Sequence, residues 1–263
     1  IIGIFSDSNK ISSPLIRICI QFIICYFFVV LSSLNIFDLR IDILNYFLGI
    51  NFISILFTVF CILILINGSN FLDGLNTLVL GYYTLVCIVL IYLSNNFNLI
   101  VNPNINLLII FLLIIYIPNF FGKVYLGDSG AYLIAFLISF FVIDFSLKNT
   151  LVSPYFISLL LWYPAFENLF SIMRRILSKN KIDAPDNYHL HHMIYAYFIQ
   201  KKIIKISYAN TFVANLINLY NLSSFVLFSR FYLSTKFLII GIFLNISVYL
   251  FLFFLLKTKA TRI

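Results

Sequence analysis

Charge is what this sequence has least of. Only 10% of its 263 residues are Asp, Glu, Lys or Arg, where a soluble domain carries about 25%. Hydrophobic residues make up 62%, more apolar surface than a water-facing chain of this length can bury. That excludes an ordinary soluble domain and makes the bilayer the natural solvent. Cysteine is scarce too. Cys19, Cys25, Cys61 and Cys87 lie inside apolar runs and form no close pair, so they read as inert buried thiols rather than a disulfide framework or metal site. A secretory signal, with its basic start, short apolar run and small-residue cleavage site, is missing. The first residue is Ile1, not Met, and the chain reads as a fragment missing its true N-terminus. Neither an internal repeat nor a separate soluble domain is visible, so residues 1–263 read as a single transmembrane domain.

What is present is a series of apolar runs. A helix needs about 20 apolar residues to cross the hydrocarbon. Seven segments qualify or come close: Leu15–Leu34, Leu44–Ile66, Leu75–Leu93, Leu107–Ile117, Ala131–Leu147, Pro154–Ile172 and Phe237–Leu256. The more polar Ser207–Phe228 is the eighth. The expected fold is all-α, a polytopic transmembrane helix bundle of about eight spans.

Alternating the loops across those spans sorts the charges. One side receives Lys10, Arg17, Lys123, Arg174, Arg175, Lys179, Lys181, Lys201, Lys202, Lys205, Lys257, Lys259 and Arg262. The other receives Arg40, Lys148, Arg230 and Lys236. Loops rich in Lys and Arg stay in the cytoplasm, so the first side is expected to be cytoplasmic. The formal charge of +8 is explained by this topology and by anionic lipid, and no nucleic acid partner is expected. Asp144, near the other end of its helix, reads as a snorkelling or locally bonded residue.

Polar clusters gather on the basic side. The first runs from Ser6-Asp7-Ser8 to Ser12-Ser13-Pro14. In the second, Asn67, Asn70 and Asp73 are spaced by three, which aligns them on one face of a helix. Gly74 and Asn76 follow. Carboxylate and amide oxygens suit a hard cation such as Mg²⁺, and Asn, Asp and Gly equally favour a capping turn. In the third cluster Asp128 precedes an apolar helix, where it can cap the helix or share a phosphate-bound Mg²⁺; Lys123 adds a point charge. The fourth runs from Arg174-Arg175 to Asp186-Asn-Tyr-His189-Leu-His191-His192. Anionic substrate fits these histidines better than zinc, because their neighbours are strongly basic and a fourth ligand is lacking. Glu167 lies inside a span and needs a partner; Arg174 and Arg175 are the candidates. Together the clusters describe a site for a nucleoside diphosphate and its metal at the membrane surface.

Three of these motifs, Asn67-Gly-Ser-Asn70-Phe-Leu-Asp73-Gly74, Gly122-Lys-Val-Tyr-Leu-Gly-Asp128-Ser-Gly, and Pro164-Ala-Phe-Glu167 through His189-Leu-His191-His192, resemble those of the polyprenyl-phosphate N-acetylhexosamine-phosphate transferases. The resemblance covers roughly residues 1 to 195, and its His-x-His-His form is more similar to the GlcNAc-phosphate branch than to the muramoyl-pentapeptide branch. It implies transfer of N-acetylhexosamine-1-phosphate from a UDP-N-acetylhexosamine to undecaprenyl phosphate in a bacterial inner membrane. UMP would be released, with Mg²⁺ as cofactor and Mn²⁺ as an alternative, and the product would initiate a lipid-linked cell-envelope glycan. Carried over residue by residue, it implies a catalytic set of Asp7, Asn70, Asp73 and Asp128, with Asp128 and Asp73 at the metal. Asn67, Asn76, Lys123, Arg174, Arg175, His189, His191 and His192 would bind substrate. A homodimer is left open. Where the family carries an acidic pair, this chain has Ser6-Asp7, and the spacing from there to Pro14 is one residue longer. The competing readings are a transporter or flippase, and a catalytically impaired relative that binds lipid.

Overall fold

A computed structural model describes residues 2–8, 13–177 and 188–260. Lys10, Ser12, Lys179, Lys181, Asp186 and Arg262, named above, lie outside the described residues. The described chain is helical: α1 (Ile2–Asp7), α2 (Pro14–Ser32), α3 (Asp42–Leu48), α4 (Asn51–Leu72), α5 (Leu78–Phe97), α6 (Ile105–Phe120), α7 (Gly127–Lys148), α8 (Pro154–Leu160), α9 (Trp162–Leu177), α10 (Leu190–Gln200), α11 (Ile206–Ser229) and α12 (Thr235–Ala260). Six of these helices (α2, α4, α5, α7, α11 and α12) are long and apolar enough to cross a membrane, and the bent pair α8–α9 passes the same test when taken together as one broken span. The shorter apolar α6 brings the segments to the expected eight. This is a multi-pass membrane protein.

Two expected spans are reshaped. Leu44–Ile66 is broken at Gly49, which ends α3 with its N–H on the Asn45 carbonyl. A new helix, α4, then runs on to Leu72. It can continue past Ile66 because its polar side chains bond their own helix: Asn67 Nδ2 donates to the Leu63 carbonyl at 2.9 Å, and Ser69 Oγ to that of Leu65 at 2.7 Å. Pro154–Ile172 is not one straight rod. It bends by 74° between α8 and α9. Pro164, with no N–H and a ring that crowds the carbonyl four residues back, accounts for the break at Leu160–Trp162.

α4 is the central post, packed against α9, α7 and α2. Gly68 brings α4 against the α9 backbone: a Cβ there would overlap the Pro164 carbonyl oxygen. α11, the least apolar span, enters the bundle because its amides find partners. Asn215 Oδ1 accepts from Tyr116 Oη at 2.6 Å, Asn218 Nδ2 donates to the Thr77 carbonyl at 3.2 Å, and Asn221 Oδ1 accepts from Trp162 Nε1 at 2.8 Å. These bonds offset the cost of burying the amides, with Asn218 Oδ1 left without a hydrogen-bond partner. Asp144 is locally bonded, with Lys148 Nζ at 2.8 Å one turn on.

Candidate active site

The first turn of α7 is the anchor. Asp128, in that turn, has both carboxylate oxygens engaged. Oδ1 accepts from Asn70 Nδ2 at 2.5 Å. Oδ2 accepts from Ser6 Oγ at 2.5 Å and from Arg17 Nη1 at 2.9 Å. Arg17 also donates to Ser6 Oγ at 2.6 Å. Side chains of α1, α2 and α4 thus meet on one α7 carboxylate. The sequence puts Arg17 on the basic side and in the family's stretch that follows the acidic pair, but not among the expected site residues. Its signal was there: a guanidinium one turn into an apolar helix needs a counter-charge.

Asp7 reaches the same turn differently. Its Oδ1 accepts the Asp128 N–H at 3.0 Å, its Oδ2 the Ser129 N–H at 3.1 Å, and Ser129 Oγ donates to it as well. The free N–H groups of α7, a ready anion site, are therefore taken by a side chain of this chain. Burial raises the Asp7 carboxyl, but the Ser129 hydroxyl and the N–H groups of Ser129 and Asp128 outweigh it and hold the carboxyl below its ordinary value. Gly3 lets α1 lie directly on the α7 backbone, because a Cβ there would overlap Ser129 Cα.

Asp73 ends α4, with its N–H on the Asn70 carbonyl. Its carboxyl is pushed up to about 7, chiefly by burial. The Gly127 N–H opposes this shift, and the nearby Asp128 and Asp7 carboxylates add to it. Such a set has excess negative charge that a hard cation would relieve, and its oxygens are the donors Mg²⁺ prefers. Among the described residues no three or more His, Cys, Asp or Glu side chains form a metal cage. One or two carboxylates completed by water and substrate phosphate are the usual Mg²⁺ arrangement, so Asp73 and Asp128 fit the ion.

Arg17, Asn70 and Asp73 face a cleft of about 610 Å³, and Asp128 joins it through its bonds to Asn70 and Arg17. Arg17, Asn67, Asn70, Asp73 and Gly74 line one wall; Arg175, His189 and His192 line another. Gly74 is where the walls touch. A Cβ on it would overlap the His192 and His191 imidazoles, so a side chain there would push them away. His191 is fully buried. Burial first, and then His192 and His189, hold its imidazole well below the ordinary value and keep it neutral.

Some expected site residues lie elsewhere. Lys123 is exposed and does not line the cleft. Asn76 sits at the α4–α5 turn, where its N–H donates to Asn210 Oδ1 at 2.7 Å, and it too is off the cleft wall. Arg174 lies over the Phe170 and Phe253 rings at 5.4 and 5.3 Å, whereas Arg175 sits over Phe71 at 5.6 Å and lines the cleft. The expected pairing of Glu167 with these arginines is corrected. Its Oε1 is 2.9 Å from His189 Nδ1 and its Oε2 accepts from Tyr249 Oη at 2.9 Å. The α9 face that carries Glu167 turns it toward α10 and α12, while the arginines two turns on stack on aromatic rings.

The fold and cleft define a class: an integral membrane protein whose carboxylates, amides and imidazoles meet at one end of its helix bundle. Residues 1–146, over half of the chain, match the family described as Glycosyl transferase family 4, and the chain belongs to it. The chain is also similar to the probable undecaprenyl-phosphate N-acetylglucosaminyl 1-phosphate transferase of Bacillus subtilis (strain 168), with 26% identity over 206 residues. That alignment covers 77% of this chain and 57% of the relative, so the chain spans little over half the relative's length. No solved structure matches the chain.

Proposed function

We propose that the protein transfers N-acetylhexosamine-1-phosphate from a UDP-sugar to undecaprenyl phosphate at the cytoplasmic membrane face, releasing UMP and initiating a lipid-linked envelope glycan. One observation carries this reading: Arg17, Asn70, Asp73, His189 and His192, drawn from three helices and their ends, line a single cleft, and Asp128 of a fourth helix is bonded to two of them. The family membership and the relative's name support it, and the Lys/Arg asymmetry of the loops supports the cytoplasmic side.

The reaction joins a lipid phosphate oxygen to the sugar-bearing phosphorus and breaks that phosphorus's bond to UMP. Phosphoryl transfer is mainly a matter of positioning and charge neutralisation. A lipid phosphate monoester has a second pKa near 6 by analogy with phosphoserine, so it arrives largely ionised and needs no strong base. This accommodates Ser6 in place of the family's first acid. Asp73 and Asp128 would hold Mg²⁺, which when bound neutralises charge on the diphosphate. Asn70 and Arg17 fix the direction of the Asp128 carboxylate. His189, His192 and Arg175 offer donors and positive charge to the phosphate that leaves with UMP. Asn67, held by Leu63 and Gln21, shapes the wall beside them.

The test is Mg²⁺-dependent UMP release from UDP-GlcNAc and UDP-GalNAc by the full-length protein with undecaprenyl phosphate in detergent or vesicles. Release that disappears in Asp128→Asn, with the variant still folded in the membrane, is expected. No release with either donor would overturn the reading.

A further inference from the structure

Glu167 is a fully buried carboxylate in α9, in a segment where an uncompensated charge is costly. Both of its oxygens are used. Tyr249 Oη donates to Oε2 at 2.9 Å, and Oε1 lies 2.9 Å from His189 Nδ1. An ionised carboxylate only accepts, so the hydrogen on the His189 side of this pair is carried by Nδ1. That leaves Nε2, on the ring edge away from Glu167, for the cleft that His189 lines.

The imidazole is clamped on its faces as well. Phe71 lies 5.1 Å away at 30° and His191 lies 5.7 Å away at 15°. Tyr249 is itself fixed by aromatic neighbours: Phe166 and Phe170 meet it edge-on at 4.9 and 5.6 Å. α12, the last helix, thus reaches the site without entering the cleft.

The geometry points to Glu167 and Tyr249 as positioning residues that hold His189 by its Nδ1–H and fix its direction, so that Nε2 faces the cleft and, in the imidazolium form, donates its own N–H to a phosphate oxygen of the nucleotide sugar. This rests on the functional reading above. A carboxylate behind an imidazole commonly does this work, setting which nitrogen faces the ligand. Here the carboxylate is in turn held by a phenol from another helix.

The experiment compares wild-type full-length protein with Tyr249→Phe, Glu167→Gln and Glu167→Asp, each also in a His189→Gln background. Tyr249→Phe keeps the ring packing, so it tests the relay even if the Glu167 variants fold poorly. Tyr249→Phe and Glu167→Gln are expected to lower kcat by about tenfold to a hundredfold at nearly unchanged KM for the donor, and Glu167→Asp to recover part of it. In the His189→Gln background the same changes should cost little more, because residues acting through one group are non-additive. Equal losses in both backgrounds would overturn the inference. Imidazole ¹⁵N spectra provide a readout independent of turnover. His189 should show Nδ1–H, and Tyr249→Phe should move its signals while leaving those of His192 in place. Unmoved His189 signals would also overturn it. A wild type with no UMP release would sink the functional reading instead, and the spectra would still decide the positioning role.

Discussion

Asp7 and Ser129 are 122 positions apart, yet the carboxylate of one takes both the backbone N–H and the hydroxyl of the other. With the Asp128 N–H it closes the N-terminus of α7 as a cap supplied from outside the helix. Replacing a capping carboxylate by alanine costs about 0.5–2 kcal/mol, and an exposed cap belongs at the lower end. Asp7→Ala should therefore lower the melting temperature in detergent by a few degrees, and Asp7→Asn by less, since Asn also caps. The sign with pH follows from the depressed carboxyl. The cap's stabilisation is present above the ordinary carboxyl value of 3.8 and fades as pH falls below it. An Asp7→Ala protein as stable as wild type at neutral pH would show that α1 does not hold α7.

Asp73 behaves in the opposite sense. Its raised carboxyl means that ionisation opposes the metal-free fold as pH rises from 3.8 toward about 7. A divalent cation held there would compete with this proton. Apparent Mg²⁺ affinity, measured by calorimetry on the solubilised protein, should fall by up to about tenfold for each pH unit below 7. Asp73→Asn should flatten that dependence. A slope of similar size in the variant would assign the proton to another group.

Gly68 and Gly74 separate packing from chemistry. Gly68→Ala would drive a Cβ into the Pro164 backbone, which cannot yield locally. Overpacking of this kind costs about 1–3 kcal/mol, read as a lower melting temperature. Gly74→Ala meets the imidazoles of His191 and His192 instead. Displacing them should lower transfer by at least about tenfold, with a smaller loss of thermal stability. The reverse ranking of the two melting temperatures would contradict the packing described.

Ser6→Asp tests the departure from the family's acidic pair. Ser6 Oγ donates to Asp128 Oδ2, and a carboxylate there cannot. The variant sets a further negative charge beside Asp128, with Arg17 as the shared cation. Like charges this close disfavour one another. Transfer by the variant is expected to be slower than wild type at low Mg²⁺ and to recover as Mg²⁺ is raised. A faster enzyme at all Mg²⁺ concentrations would mean that the lost acid served as a base.

The helical spans and the polar clusters were legible in the chain because hydropathy is a local, additive property. The proximity of Asp73 and Asp128 followed from alternating the loops across those spans. Which atom meets which did not. Arg17 on Asp128, Asp7 on the end of α7, and Glu167 on His189 and Tyr249 join residues 22 to 122 positions apart. Such pairings depend on how each helix is rotated about its axis and how closely its neighbours approach. Those are set by Gly68 against Pro164, by the 74° bend of α8–α9 and by hydrogen bonds of the α11 asparagines. Only packing in three dimensions decides such rotations, because every turn of an apolar helix satisfies the bilayer about equally well.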